Sequence, residues 1–167
     1  MKALVTGARG GIGRALVDRL EREGYEVEGL DLLDGFDVGD PDAWERVGAV
    51  DVACLNAGVL TGAADPREVP VDAYRRAVSV NVDGVVLGVR RLARVMDGGA
   101  IVVTASLAGL TAMPSDPVYT LTKHALVGYV RGVAPHLEPI RINAVCPGIA
   151  DTPMVDHQRA AFEAAGF

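Results

Sequence analysis

The chain has 167 residues, of which 50% are hydrophobic and 23% are charged, and its formal net charge is −6 at pH 7. This length and balance predict a single globular domain, residues 1–167, with one core of its own. The acidic balance argues against nucleic-acid binding, which needs a basic surface, and no apolar run is long enough to span a membrane.

The cysteine and histidine residues bear on location and on metal binding. Cys54 and Cys146 both lie in apolar runs of strand length, and neither has a partner at CxxC spacing. Such residues are typical of reduced thiols in a cytoplasmic protein, and a disulfide between them is the alternative. The three histidines do not cluster, so we expect no metal site.

Apolar runs of strand length alternate with amphipathic segments of helix length, a pattern that is typical of βαβ units and a parallel sheet. The predicted strands are Lys2–Thr6, Tyr25–Leu30, Gly35–Val38, Val50–Asn56, Ala100–Ala105 and Ile140–Val145. The predicted helices are Gly11–Glu23, Pro41–Val47, about Val71–Met96, about Val118–Leu137, and a last one capped by Asp151 or Thr152 with Gly166 beyond its end. We therefore predict a Rossmann-like, doubly wound α/β fold with three αβα layers and the strand order 3-2-1-4-5-6.

A glycine-rich turn, Thr6-Gly7-Ala8-Arg9-Gly10-Gly11-Ile12-Gly13, separates the first predicted strand from the first helix. Glycines let the backbone approach a pyrophosphate, and the free N–H groups of a helix start attract its charge. A tight strand-to-helix connection without a ligand is the alternative. The candidate cofactor-binding residues in this turn are Gly7, Arg9, Gly11, Ile12 and Gly13.

Asp31 stands at the end of the second predicted strand, 18 residues beyond Gly13. A carboxylate at this position accepts hydrogen bonds from the adenine-ribose hydroxyls and repels a 2′-phosphate. We therefore predict NAD as the cofactor, with NADP less favoured. Arg9 is able to meet a phosphate in principle, and we expect Asp31 to outweigh it; a simple loop carboxylate is the alternative for Asp31.

Tyr119 and Lys123 are four residues apart at the start of a predicted helix, so they share one face. Only two of the 16 basic residues are lysines, and a surface pair in so arginine-rich a chain would be expected to use arginine. One positive charge ~4 Å away at an effective dielectric of ~20 supplies about 4 kcal/mol, enough to lower the pKa of a tyrosine by ~3 units. The spacing therefore predicts an acid/base tyrosine tuned by a lysine.

Further polar residues and glycines follow the ends of the predicted strands. Ser106 ends the fifth strand, Asn56-Ala57-Gly58 closes the fourth, and Pro147-Gly148 ends the sixth. Ligands of α/β sheets bind at the carboxyl ends of the strands, so we expect these residues to face one cleft, although each is also an ordinary turn former. Asn81 interrupts the long predicted helix, which indicates a polar break or a bound water.

Together these residues resemble the short-chain dehydrogenase/reductase family, of the compact NAD-dependent type. The matching elements are the Thr6–Gly13 turn, Asp37-Val38, Asn56-Ala57-Gly58, Asn81, Ser106, Tyr119-x-x-x-Lys123, and Pro147-Gly148 through Thr152. The stretch from Ser106 to Leu110, with Pro117-Val118-Tyr119 and Lys123-His124, is most similar to the 15-hydroxyprostaglandin dehydrogenase branch.

The resemblance implies a role for each residue. Tyr119 would be the acid/base, Lys123 would lower its pKa and hold the nicotinamide ribose, Ser106 would position the substrate oxygen, and Asn81 would hold a water in a proton relay. The remaining expected cofactor contacts are Asp37, Val38, Asn56, Ala57, Gly58, Pro147, Gly148, Ile149 and Thr152. The implied reaction is hydride transfer between NAD(H) and a small or lipophilic secondary alcohol or ketone, in a homodimer or homotetramer.

Two features depart from the family pattern. No helix fits between Asp31 and Asp37, and the pattern continues for a seventh strand and a helix beyond the end of this sequence. We therefore expect either a C-terminally truncated domain or a sequence that covers only part of the protein. A catalytically inactive NAD-binding or sensing module is therefore the alternative, although Ser106, Tyr119 and Lys123 argue against it. A dehalogenase-like relative would replace the lysine with arginine and lose the glycine turn.

Overall fold

The computed structural model describes residues 1–156 and shows a single parallel sheet with helices on both faces. The five strands of the sheet are β1 (Lys2–Thr6), β2 (Glu26–Leu30), β3 (Val52–Leu55), β4 (Gly99–Thr104) and β5 (Ile140–Val145). The helices are α1 (Gly11–Arg22), α2 (Pro41–Trp44), α3 (Val71–Val78), α4 (Gly84–Val95), α5 (Pro117–Val133) and α6 (Pro153–Asp156). The strand order is β2-β1-β3-β4-β5, which confirms the predicted Rossmann-like fold class.

The alternation of apolar residues along the strands divides the core between the two faces of the sheet. On one face Leu4, Ile101 and Val103 join the main cluster, which includes the buried sides of α4 and α5. On the other face Val5 and Cys54 pack against the apolar stripe of α1. Because every connection between paired strands is a crossover, the carboxyl ends of all five strands lie at the same edge.

The predicted strand at Gly35–Val38 is wrong. This segment follows a 3₁₀ turn at Leu32–Asp34 and pairs with no strand within residues 1–156. Phe36 and Val38 are nevertheless buried. The rings of Phe36 and Trp44 meet edge to face at 5.2 Å, and Trp44 Nε1 donates to the Val38 carbonyl at 2.8 Å. In the segment Gly35–Val38, contacts with Trp44 therefore take the place of pairing with a strand.

The long predicted helix is divided into three parts. A π-helical segment, Ser79–Asp83, lies between α3 and α4, and it carries the buried Asn81 where the sequence predicted a polar break. The helix after it in the chain, α5, ends in a 3₁₀ turn at Ala134–His136. Of the predicted last helix, α6 begins directly after Thr152, and Gly166 lies outside the described residues.

Three further properties of residues 1–156 bear on the predictions. None of the helices there is both long and apolar enough to cross a membrane. Cys54 and Cys146 are free thiols in the structure. No group of three or more His, Cys, Asp or Glu side chains that could hold a metal occurs in this part of the chain.

Candidate active site

An open cleft with a volume of about 1190 Å³ runs along the carboxyl edge of the sheet. The glycine turn lies along it, as do the ends of β2, β3, β4 and β5 and the start of α5. The sequence-predicted residues that line it are Gly7, Arg9, Gly11, Ile12, Asp31, Asp37, Val38, Asn56, Ala57, Gly58, Ser106, Tyr119, Lys123, Pro147, Gly148, Ile149 and Thr152. Gly13 and Asn81 lie behind the walls of the cleft.

The glycine turn has the shape that an anion needs. Gly7 has a φ of +66°, and a Cβ there would lie 2.9 Å from Ala57 Cα, so only glycine fits. At Gly13 a Cβ would collide with the Gly7 carbonyl, which makes this glycine a packing residue of the turn. The amides of Gly11 and Ile12 open α1 without an acceptor among residues 1–156, so the turn can accommodate a phosphate group.

Thr6 fixes the neighbouring wall, a role that sequence reasoning missed. Its hydroxyl accepts hydrogen bonds from the backbone N–H groups of Asn56 at 2.9 Å and Ala57 at 3.1 Å, and Asn56 Nδ2 donates to the Thr6 carbonyl at 3.2 Å. The buried hydroxyl therefore ties the end of β1 to the Asn56-Ala57-Gly58 turn. A threonine ending a strand carries no signal of this contact, because its partner lies 50 residues away.

Two carboxylates and one guanidinium stand at the end of β2. Asp31 accepts from the Arg9 backbone N–H at 2.9 Å and from the Leu33 N–H at 3.1 Å, which leaves acceptor capacity on both oxygens. The Arg9 guanidinium binds Asp34 in a bidentate pair at 2.8 and 2.7 Å, and this hydrogen bonding lowers the pKa of Asp34. Arg9 thus lines the cleft while its charge is paired with Asp34.

The residues after this turn form the far end of the cleft. Asp37 is exposed, and its Oδ1 accepts from the Gly39 N–H at 2.8 Å. Val38 is buried at 6% exposure and packs against Gly84, where a Cβ would lie 2.7 Å from Val38 Cγ2.

Tyr119, Ser106 and Lys123 meet at the centre of the cleft. Ser106 lies two residues after β4, and its side chain acts on that of Tyr119, in the first turn of α5, by opposing the rise of the Tyr119 pKa. Lys123 lies one turn further along α5, is 2% exposed, and places Nζ 5.4 Å from the centroid of the Tyr119 ring. Its ammonium donates to the Thr104 carbonyl at 2.8 Å. The two predicted side chains therefore share one face, as their spacing indicates.

The sequence predicts that Lys123 lowers the pKa of Tyr119, but among the residues of this chain that pKa is raised. Burial raises the pKa of Tyr119, the side chain of Ser106 opposes that rise, and the negative charge of Asp116 adds to it. Burial also lowers the pKa of Lys123 to about 8. Burial acts against the charged form of both groups, because a phenolate and an ammonium both lose hydration in the same apolar wall.

Asn81 is fully buried and acts on the backbone of the cleft wall. Its Oδ1 accepts from the Val59 N–H at 2.8 Å, and its Nδ2 donates to the Val59 carbonyl at 2.9 Å and to Thr122 Oγ1 at 3.0 Å. Thr122 Oγ1 in turn donates to the Tyr119 carbonyl at 2.8 Å. Asn81 therefore connects the π-helical segment, the loop after β3 and the helix that carries Tyr119.

The segment after β5 forms the remaining wall. The Pro147 carbonyl accepts from the Leu107 N–H at 2.8 Å, which joins this wall to the segment after Ser106. Ile149 is 51% exposed beside the cleft, and the side chain of Thr152 lies against Gly11. The wall thus reaches from the predicted catalytic residues to the glycine turn.

Comparisons with known proteins identify relatives that share this fold. A family model described as enoyl-(acyl carrier protein) reductase matches residues 41–165. A 2-(R)-hydroxypropyl-CoM dehydrogenase of Xanthobacter autotrophicus is 34% identical over 189 residues, covering 91% of this chain and 75% of its own. A 3beta-hydroxysteroid dehydrogenase of Mediterraneibacter gnavus is 31% identical, covering 94% and 68% respectively.

Solved structures of similar proteins have the same fold. Levodione reductase superposes with a TM-score of 0.87 at 29% identity, covering 98% of this chain and 77% of its own. A short-chain dehydrogenase/reductase from Burkholderia phymatum in complex with NAD gives 0.76 at 29% identity, covering 98% and 70%. A small-chain dehydrogenase in complex with NADPH gives 0.88 at 27% identity, covering 100% and 78%.

The fold and the site define a nucleotide-binding oxidoreductase with a parallel, Rossmann-like sheet. The chain belongs to the short-chain dehydrogenase/reductase family.

Proposed function

We propose that this protein transfers a hydride between NAD(H) and a small or lipophilic secondary alcohol or ketone. The observation that carries the proposal is that Tyr119, Ser106 and the buried Lys123 line one cleft that ends at a glycine turn, with Lys123 Nζ 5.4 Å from the centroid of the Tyr119 ring. A nicotinamide dinucleotide bound along that cleft supplies the hydride acceptor.

The chain's own residues handle the proton of the substrate. Ser106 and Tyr119 line the same cleft, so a substrate oxygen bound between their hydroxyls would be held by Ser106 and would exchange its proton with Tyr119 Oη. In the oxidative direction Tyr119 takes that proton as a phenolate, and in the reductive direction it returns it. Lys123 is the nearby cation that favours the phenolate, and its ammonium is also available to ribose hydroxyls.

The substrate end of the cleft supports an apolar substrate. Leu60, Leu107, Met113, Pro114 and Met154 line the same cleft as Ser106 and Tyr119. Burying a lipophilic body against these side chains is favourable at roughly 25 cal/mol per Å². Hydrogen bonds from Ser106 and Tyr119 then select a hydroxyl or carbonyl oxygen, which matches a secondary alcohol or ketone better than a charged substrate.

The test is an absorbance screen for NADH formation over secondary alcohols, with Tyr119→Phe beside the unsubstituted chain. Tyr119→Phe keeps the ring and removes the proton carrier, so kcat should fall by ~10²-fold or more while NAD affinity stays nearly unchanged. Lys123→Arg keeps the charge but changes its shape, so it should lower both turnover and NAD affinity. Tyr129→Phe, on the same helix but outside the cleft, is the matched control. Near-normal turnover by Tyr119→Phe would sink this mechanism.

The choice of cofactor is proposed to rest on Asp31 and Asp34. NAD should bind at least about tenfold more tightly than NADP, because a 2′-phosphate would meet the Asp31 carboxylate while Arg9 is paired with Asp34. Asp31→Ser should reduce the ratio of NAD to NADP affinity. Asp34→Asn should reduce it further, because it frees the Arg9 guanidinium to meet a 2′-phosphate. Titration calorimetry with both cofactors measures the ratio, and Arg9→Gln in the Asp34→Asn background is the control. An unchanged ratio in Asp31→Ser would show that another residue reads the ribose.

A further inference from the structure

Asp116 is a buried carboxylate that the mechanism above does not use. It is 0% exposed, and within residues 1–156 the other buried residue with a formal charge is Lys123. Removing a carboxylate from water costs several kcal/mol unless charged partners or several hydrogen bonds compensate it. An aspartate in this position therefore needs a structural or functional reason beyond helix capping.

The contacts of Asp116 supply that reason, because both of its oxygens are doubly bound. Oδ1 accepts from the Tyr119 N–H at 2.9 Å and from Thr61 Oγ1 at 2.7 Å. Oδ2 accepts from the Thr61 N–H at 2.7 Å and from the Gly62 N–H at 3.0 Å. Capping α5 requires only the bond to Tyr119, so three of the four hydrogen bonds serve the loop after β3.

The same loop is fixed at its other end by Asn81, which holds both the N–H and the carbonyl of Val59. Leu60 lies between the two clamps and lines the cleft. Tyr119 is also held on both sides, since its N–H donates to Asp116 and its carbonyl accepts from Thr122. One network thus fixes the substrate-facing loop and the acid/base residue relative to each other.

We propose that Asp116 is a positioning residue that fixes Tyr119 and the Val59–Gly62 wall of the cleft in one geometry. This inference rests on the proposed function, because it assigns the orientation of the residue that moves the proton. A misplacement of about 1 Å in an active site can cost ~10²-fold in rate, so a clamp that acts on both walls has a measurable effect.

The charge of Asp116 affects the pKa of Tyr119, an effect that a purely structural contact would not have. Its negative charge contributes to the raised pKa of Tyr119. Lys123 is a second charged group near the Tyr119 ring, with Nζ 5.4 Å from the centroid, and the Cys146 side chain just after β5 opposes the lowering of the Lys123 pKa. Removing the charge of Asp116 should lower the pKa of Tyr119, and in the oxidative direction the acid limb of the pH profile should move to lower pH.

The chain contains a matched control for this test. Asp40 caps α2 by accepting from the Asp42 N–H at 2.9 Å, and like Asp116 it precedes a proline at the start of its helix. It is exposed and lies outside the cleft. Asp40→Asn therefore measures what the loss of a capping carboxylate does by itself.

The experiment compares Asp116→Asn, Thr61→Val and Asp40→Asn in steady-state kinetics and in an ultraviolet titration of Tyr119, with Tyr119→Phe as the blank. Asp116→Asn should lower kcat/KM by about 10- to 100-fold, raise the substrate KM, shift the Tyr119 titration to lower pH and leave NAD affinity unchanged. Thr61→Val removes only the hydrogen bond from Thr61 Oγ1 to Asp116 and keeps the charge of Asp116. The substrate KM should therefore rise, while the Tyr119 titration stays unchanged. Asp40→Asn should change none of these values.

The possible outcomes separate this inference from the proposed function. An Asp116→Asn protein with unchanged KM and an unchanged Tyr119 titration overturns the inference. If Asp116→Asn does not fold, an unchanged KM in Thr61→Val overturns it instead. If the unsubstituted chain oxidises no alcohol, the proposed function fails, yet a Tyr119 titration that moves in Asp116→Asn and not in Asp40→Asn still supports the link between Asp116 and Tyr119.

Discussion

At the scale of single residues, Lys123 shows a conflict between stability and chemistry. Its ammonium is almost fully buried and donates one hydrogen bond, to the Thr104 carbonyl. Burial lowers the pKa of Lys123 to about 8. A folded protein that holds a buried cation at neutral pH carries a cost that the unfolded chain does not. The proposed function gives a reason for this cost, because the proposed reaction needs a cation beside Tyr119.

Lys123→Met should therefore make the cofactor-free protein more stable at pH 7. The lowered pKa of Lys123 means that its buried ammonium destabilises the folded protein by about 3 kcal/mol at neutral pH. Losing the hydrogen bond to Thr104 costs about 1 kcal/mol, so Lys123→Met should raise the free energy of unfolding by about 2 kcal/mol. Between pH 8 and the ordinary lysine range the unfolded chain holds a proton that the folded one has lost. The stability of the unsubstituted protein therefore rises with pH, and most of the gain should vanish by about pH 10.

Urea unfolding of both proteins without cofactor, at pH 7 and at high pH, measures this difference. Tyr129→Phe, which alters another partly buried titratable group on the same helix, is the control. A difference in unfolding free energy that stays constant from pH 7 to 10 would contradict the assignment of the cost to the Lys123 ammonium.

The sequence predicts which residues meet at this site better than it predicts their charge states. The four-residue spacing of Tyr119 and Lys123 determines that they share a helix face, because helix geometry is local. Their pKa values depend on which distant segments exclude water, and that information is absent from the spacing. Asp116 was missed although Asp-Pro is a local helix-start signal, since its bonds to Thr61 and Gly62 join segments more than 50 residues apart.

At the scale of elements, the turn from β1 to α1 depends on glycine for two different reasons. Gly7 supplies a positive φ, and Gly13 supplies space, since a Cβ there would collide with the Gly7 carbonyl. Gly13→Ala should therefore destabilise the protein by about 1–3 kcal/mol and weaken NAD binding, because the turn must open to relieve the overlap. Gly48→Ala is the control, because a Cβ at Gly48 has no neighbour within 4 Å.

Thermal unfolding and titration calorimetry measure the two effects of Gly13→Ala. Equal stability and equal NAD affinity in Gly13→Ala and Gly48→Ala would mean that the turn adapts without strain, and that Gly13 has no packing role.

Most elements follow from the periodicity of apolar residues, and the exceptions have a common cause. The strands at Lys2–Thr6 and Ile140–Val145 were predicted with the bounds that the structure has. The segment Gly35–Val38 has the alternation of a strand, but the Phe36 ring packs on Trp44 and the Val38 carbonyl accepts from Trp44 Nε1, and the segment pairs with no strand within residues 1–156. Alternation reports which side chains are buried and not whether a partner strand is available. The π-helical segment at Ser79–Asp83 is likewise set by the tertiary contacts of Asn81.

At the scale of the whole molecule, the outer face of α5 is the surface that we propose for self-association. Four residues at positions i, i+4, i+7 and i+11 of this helix are exposed: Leu121, Ala125, Gly128 and Gly132. Leu121 is 54% exposed, and a Cβ at either glycine would have open space within 4 Å. Helices pack most closely where such small side chains meet, and α3 lies beside α5 with Tyr74 43% exposed. The pattern fits a second copy of the chain.

We therefore predict a homodimer or homotetramer in which α5 packs on α5 of a second copy. In a two-fold interface each substitution occurs twice, so Gly128→Arg places two large charged side chains where the helices should be in contact. Gly128→Arg should raise the dissociation constant of the dimer by about 100-fold or more, since burying an unpaired charge costs several kcal/mol. Sedimentation velocity at micromolar concentration measures it. Gly48→Arg adds the same charge at an exposed position outside α5 and should leave the assembly intact. A monomeric unsubstituted protein at that concentration would rule out this interface.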